Sequence, residues 1–222
     1  MSACTILDSK QYPAGSGKII LSFDDGPSTE ISHLLLDVLE RTDTKAVFCY
    51  IGRNIEENPE IAARAIDAGH MVVLHSYEHT LESLLSANTL SDETQASIEL
   101  IEKLPTRESA ALTHFRPPLG IKTPAVQKVV KAFDLEYAYI TLFVIDAGAG
   151  PKDADRVVGK IRKKVVENNG GAFVLHEMRY KAGSDKYAVD KSWLPKAVEG
   201  FINWAKSEGY EFTLYPQTSI NE

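Results

Sequence analysis

The chain is poor in cysteine and short of positive charge. Its 222 residues include 2 cysteines, 2 tryptophans and 3 methionines. Cys4 and Cys49 cannot make a disulfide framework, and neither stands in a C-x-x-C pair, so a thiolate zinc knot is excluded. One bridge between them is the most they allow, and two idle thiols are the simpler expectation. Lys and Arg number 24 against 31 Asp and Glu, a formal charge of −7. That acidic balance argues against nucleic acid as a partner, since phosphate binding normally shows as a basic patch. No apolar run approaches the ~20 residues of a membrane helix, so no membrane span is expected. The opening "MSACTILDSKQYPAGSG" lacks the charged-then-apolar pattern of a secretory signal, which leaves the compartment open. There is no internal repeat of fixed period and no low-complexity segment.

What is present suffices for one core. The chain is 44% hydrophobic, and a single domain is the simplest count at this length. Apolar β-rich runs alternate with helical patterns. "KIILSF" (18–23), "KAVFCYI" (45–51), "HMVVLH" (70–75), "LTHFRP" (112–117), "TLFVID" (141–146), "GAFVLH" (171–176) and "YEFTLY" (210–215) read as strands. Helices are expected over 31–41, 59–69, 91–104 (opened by Ser91 as its cap), 124–133, 153–169 and 193–209. Such alternation means a mostly parallel sheet covered by helices. Seven or eight units in this length favour a distorted (β/α) barrel over an open sheet. The longest loops fall at 76–90 and 177–192. The domain runs over 18–216, with an extension over 1–17 and a tail over 217–222.

Several of these strands end in groups that do chemistry. The first stops at Asp24-Asp25, and others at His75, near Arg116, at Asp146 and at His176. In a parallel barrel the C-terminal strand ends share one face, where active sites lie. "HSYEH" puts His75 and His79 four apart, a spacing that on one turn of helix turns both imidazoles the same way. Two imidazoles with a carboxylate from elsewhere make a divalent-metal site with a position left open. Other polar residues read as structural. His33 is expected in solvent and His114 in a structural place. His70 is a minor candidate for the site, and Glu177 is either a neighbour of His176 or a surface group. Trp193, Leu194, Phe201 and Trp204 have core spacing.

"SFDDG" (22–26), "HSYEH" (75–79), "RPPLG" (116–120), Asp146 after a strand, and "VLH" (174–176) resemble, in order and spacing, the motifs of the polysaccharide deacetylase family. This is the NodB-like group, carbohydrate esterase family four, and the likeness runs over roughly residues 18–215. It implies an α/β, NodB-like barrel and a metal-dependent hydrolase. Such an enzyme removes acetyl groups from an N-acetylated polysaccharide or oligosaccharide of chitin or peptidoglycan type.

By resemblance, Asp25, His75 and His79 hold one divalent ion, most simply zinc, with cobalt or nickel as alternatives. Asp24 is the general base and Arg116 its charge partner. His176 is the general acid, tuned by Asp146. The Leu119 N–H serves the oxyanion, and Tyr77 is a candidate for stacking on sugar. The family also implies a secreted or wall-associated protein. Departures stand beside the likeness. Where the family reads Asp-x-x-Asp-Trp, this chain has Asp146-Ala147-Gly148-Ala149-Gly150; Val73-Leu74 replace Gly-Asn, and Leu119 replaces an aromatic. Two rival readings follow: a weakened or inactive member that binds wall polysaccharide, and an amidohydrolase of a small amide on the same barrel.

Overall fold

The computed structural model describes residues 5–6, 15–178 and 189–216. In chain order the elements are β1 (Thr5–Ile6), β2 (Lys18–Gly26), α1 (Ser32–Arg41), β3 (Val47–Tyr50), α2 (Gly52–Glu57), α3 (Pro59–Asp67) and β4 (Met71–Leu74). Next come α4 (Leu81–Leu85), α5 (Ala87–Glu102), β5 (His114–Phe115), β6 (Ile121–Lys122), α6 (Pro124–Ala132) and β7 (Glu136–Tyr137). The chain closes with α7 (Ala154–Asn168), β8 (Gly171–His176), α8 (Leu194–Ser207) and β9 (Glu211–Phe212).

The main sheet runs β7-β5-β4-β3-β2-β8, with β9 also paired to β2. Every pairing in it is parallel. Strands β1 and β6 form a separate antiparallel pair. The architecture is the expected α/β one, a parallel sheet flanked by helices and curved into a distorted barrel.

Period-two alternation sorts each strand into two faces. Ile19, Leu21 and Phe23 of β2 join the larger core, against α1, α7 and α8 residues such as Leu35, Ile161 and Phe201. Ile20 lies in a smaller inner cluster with Val47, Cys49, Val73 and Ala172. Ser22 and Asp24 share the inner face with Ile20, so the barrel interior turns polar toward the C-terminal strand ends. Cys49 is a buried free thiol; Cys4 lies outside the described residues.

Four local expectations need correction. Residues 141–146 form no strand. The N–H groups of Thr141 and Leu142 both donate to Ala172 O, so no repeating ladder forms. Burial still alternates, with Leu142 and Val144 in and Phe143 and Ile145 out. The sheet's edge strand is instead β7, and residues 138–146 cross from the β5 edge to β8.

The region 76–90 is not a loop, since α4 and the first turn of α5 occupy part of it. The cap of α5 is Ser86, whose hydroxyl accepts from Thr89 N at 3.2 Å, rather than Ser91. Helix α2 also follows β3, where no helix was expected. Residues 179–188, most of the second long loop, lie outside the described residues.

Candidate metal and hydrolytic site

Two adjacent residues of one strand normally point to opposite faces. Asp24 and Asp25 escape that rule. Asp24 follows the inner-face parity of β2, while Asp25 takes a left-handed φ of 69°. The β2–β3 register slips between Asp24 and Gly26. A bulge of this kind re-aims one side chain, and here it brings both carboxylates to the inner rim. Asn54 on α2 secures the bend by donating to Asp25 O at 2.7 Å. A Cβ on Gly26 would stand 2.6 Å from the Glu177 carboxyl, so any larger residue there would have to displace that buried side chain.

His75 continues the inner face of β4 past its end. His79 arrives by a different route from the expected one. Residues 75–80 are not helical, and Ser76 and His79 both have left-handed φ, 60° and 52°. The hairpin-like bend, rather than a helical turn, brings the rings together at 4.8 Å between centroids. Ser76 Oγ accepts from His79 N at 3.0 Å. Glu93, buried on α5, accepts from the N–H of Tyr77 and of Glu78 at 3.0 and 3.2 Å.

Ligand atoms of Asp25, His75 and His79 all lie within 4.8 Å of one another. Asp25 Oδ1 is 3.5 Å from His75 Nε2 and 3.3 Å from His79 Nε2. Two ligands at zinc distances of about 2.0–2.2 Å in a tetrahedron stand roughly 3.3 Å apart, so the donor set fits one small cation. His75 Nδ1 faces Arg116 O at 2.7 Å. That contact makes Nδ1 the donor and leaves Nε2 with its lone pair toward the site, as a metal-ligating histidine requires. Burial pushes His79 down to about 4 against the pull of Asp25, so its imidazole is neutral near pH 7. Burial acts to raise Asp25, but the surrounding His75, His79 and His176 rings outweigh it and hold the carboxyl well below its ordinary range.

Asp24 is paired as the sequence suggested. Arg116 Nη1 lies 2.6 Å from Asp24 Oδ1. The guanidinium is buried yet satisfied: Nη1 also donates to Ser22 Oγ at 2.9 Å, Nε to Ala138 O at 3.1 Å, and Nη2 to the Tyr215 hydroxyl at 2.9 Å. Burial alone would raise Asp24; Arg116 first, then His75 and His176, reverse it, so the carboxyl stays ionised.

Opposite stands His176, last residue of β8. Its Nδ1 lies 2.7 Å from Asp146 Oδ1, and its backbone N–H donates to Asp146 Oδ2 at 2.8 Å. Burial would lower its pKa, but the Asp146 charge and hydrogen bond, helped by Asp25 and Asp24, lift it to about 9. Lys191 caps the same carboxylate, with Nζ 2.7 Å from Asp146 O and 3.4 Å from Oδ2.

The remaining candidates fall as follows. Leu119 has a left-handed φ of 59° and an exposed side chain on the turn after Arg116. Tyr77 lies against Gly52, and its hydroxyl donates to Glu56 Oε2 at 2.6 Å. His70 does not reach the site. It precedes β4, at the opposite end of the barrel, where its Nδ1 accepts from Ala46 N at 3.3 Å. Glu177 is not on the surface. It is fully buried on the far side of Gly26, accepting from Ser32 Oγ, and burial pushes it up to about 8. His114 is structural, stacked on Tyr215 at 5.3 Å.

Sequence reasoning missed Ser22, Asn54, Glu93, Lys191 and Tyr215. Only Ser22 carried a signal, a hydroxyl two residues before Asp24 on the same strand face.

The polysaccharide deacetylase family model matches residues 11–138. This chain belongs to that family. A peptidoglycan-N-acetylglucosamine deacetylase, PgdA of Listeria monocytogenes, is 28% identical over 202 residues, 88% of this chain. The chain spans only 37% of that relative's length. Among solved structures, the catalytic domain of a peptidoglycan N-acetylglucosamine deacetylase from Eubacterium rectale superposes with a TM-score of 0.76 at 25% identity. That match covers 93% of this chain and 92% of the other. BA3943 of Bacillus anthracis, described as a CE4 family pseudoenzyme, superposes at 0.68 with 23% identity, covering 90% and 64% of the two chains.

Proposed function

We propose that this deacetylase-family chain hydrolyses the acetamido groups of an N-acetylated carbohydrate polymer of chitin or peptidoglycan type, with one divalent metal ion, most simply zinc. The observation that carries this reading is the meeting of three units on one rim. These are the Asp25–His75–His79 donor set, the Asp24–Arg116 ion pair and the His176–Asp146 pair. The peptidoglycan deacetylases among its relatives support the substrate class.

The chemistry divides among the side chains. Asp25, His75 and His79 would hold the ion, which when bound polarises an acyl carbonyl and acidifies water. Asp24, kept ionised by Arg116, takes a proton from the attacking water. The Leu119 N–H donates to the acyl oxygen as negative charge gathers there. His176, kept as imidazolium by Asp146, gives its proton to the leaving nitrogen. Acetate and a free amine result. Tyr77, on the loop between the two histidines, would offer a ring face to sugar.

Shared fold does not secure activity, since BA3943 is a pseudoenzyme. The test is acetate release from N-acetylglucosamine oligomers and from isolated peptidoglycan, with zinc and after chelation. Release that stops on chelation and returns with zinc is expected. Zinc binding without release from either substrate would leave the weakened-member reading in its place.

A further inference from the structure

Lys191 is buried, with 3% of its surface exposed. An ammonium so placed is expensive, and an apolar side chain would normally serve packing better. Burial lowers its pKa, against the pull of Asp146. Its Nζ meets Asp146 twice, at the main-chain oxygen (2.7 Å) and at Oδ2 (3.4 Å). Two residues on, the Trp193 indole N–H donates to Ala149 O at 3.1 Å. Residues 191–193 therefore grip the segment 146–149 at both ends. That segment has no strand ladder of its own to hold it, as residues 141–146 show.

Asp146 depends on this grip. Its carboxylate makes a two-point contact with His176, Oδ1 to the ring and Oδ2 to the backbone N–H. Oδ2 is also the oxygen that Lys191 approaches. We infer that Lys191 is a positioning residue: acting through Asp146, it holds the carboxylate in the two-point contact that orients the His176 ring. It touches no reacting atom. The inference rests on the acid role proposed for His176, but its structural half is readable without turnover.

The test compares the wild type with Lys191→Met and Lys191→Arg. In the wild type, proton NMR of the zinc-loaded protein at low temperature is expected to show a downfield, exchange-protected Nδ1–H of His176, assigned through its loss in His176→Gln. In Lys191→Met that resonance is lost to exchange. With it kcat falls about tenfold or more, as misorientation of a reacting group does, while KM stays within about twofold. Lys191→Arg retains both signal and rate.

A His176 Nδ1–H that is unchanged in Lys191→Met, or missing from the wild type, overturns the inference. So does a loss of rate shared between kcat and KM with the resonance intact, the mark of a merely structural cation. Should Lys191→Met not fold, Lys191→Ala, which likewise leaves no donor at the Asp146 oxygens, is read the same way. If the wild type releases no acetate from any glycan, the proposed function fails while the resonance still decides the role of Lys191.

Discussion

His75 is oriented by Arg116 through the main chain: its Nδ1 lies 2.7 Å from the Arg116 carbonyl oxygen. The guanidinium of the same residue lies 2.6 Å from Asp24. One residue thus reaches the Asp25–His75–His79 cluster with its backbone and Asp24, the proposed base, with its side chain.

That division predicts a split phenotype for Arg116→Met. The carbonyl persists, so zinc affinity measured by calorimetry stays within about tenfold. Asp24 is left as a buried carboxylate without its cation, which costs about 3–5 kcal/mol of stability. Acetate release is lost with it. Urea unfolding and zinc titration of the one variant check both halves.

The adjacent aspartates separate in the same way. Asp25→Ala removes zinc binding. Asp24→Asn keeps zinc and lowers kcat by about 10²–10⁴, the usual contribution of a general base. Unchanged turnover in Asp24→Asn would show that the proton goes elsewhere.

Glu93 holds the ligand loop without touching the ligands' ring atoms. Glu93→Ala frees the N–H groups of Tyr77 and Glu78. Zinc affinity is expected to fall about 10–100-fold, as when an outer support of a metal ligand is lost. Circular dichroism stays that of the wild type.

Stability of the metal-free protein should decline as pH rises from about 6.5 to 9; below that window His79, held down to about 4, works in the opposite direction. His176 binds its proton more tightly folded, at about 9, than unfolded. Its contribution is complete below about 6.5 and is lost as pH climbs through 9. Glu177, raised to about 8, behaves likewise over a lower window that opens near 4.5. Asp24 has the opposite sign: its depressed pKa stabilises above about 4, and that gain is lost in acid. Urea denaturation across this range measures the slope. His176→Gln is expected to flatten its upper part and Glu177→Gln its lower part.

The alternation of strands and helices and the arrival of His75, Arg116 and His176 at strand ends were legible in the residues. Each depends on periodicity along one segment, and periodicity is a local property. The burial of Glu177, which the sequence left between a neighbour of His176 and a surface group, depends on Ser32 and Gly26, far from it along the chain. Lys191, Tyr215 and Glu93 left no local trace, since each matters through a partner 45, 99 or 16 residues away.

The sequence by itself determined a parallel α/β barrel and the side chains that its rim would carry. Chain order fixes which strand ends in which group. Only the tertiary structure decided that Asp25 turns inward beside Asp24, that a non-helical bend brings His79 to His75, and that a buried lysine clamps Asp146. The reason is physical. A bulge, two left-handed residues and a desolvated ion pair each cost free energy locally, and long-range contacts that no short window contains are what offset it.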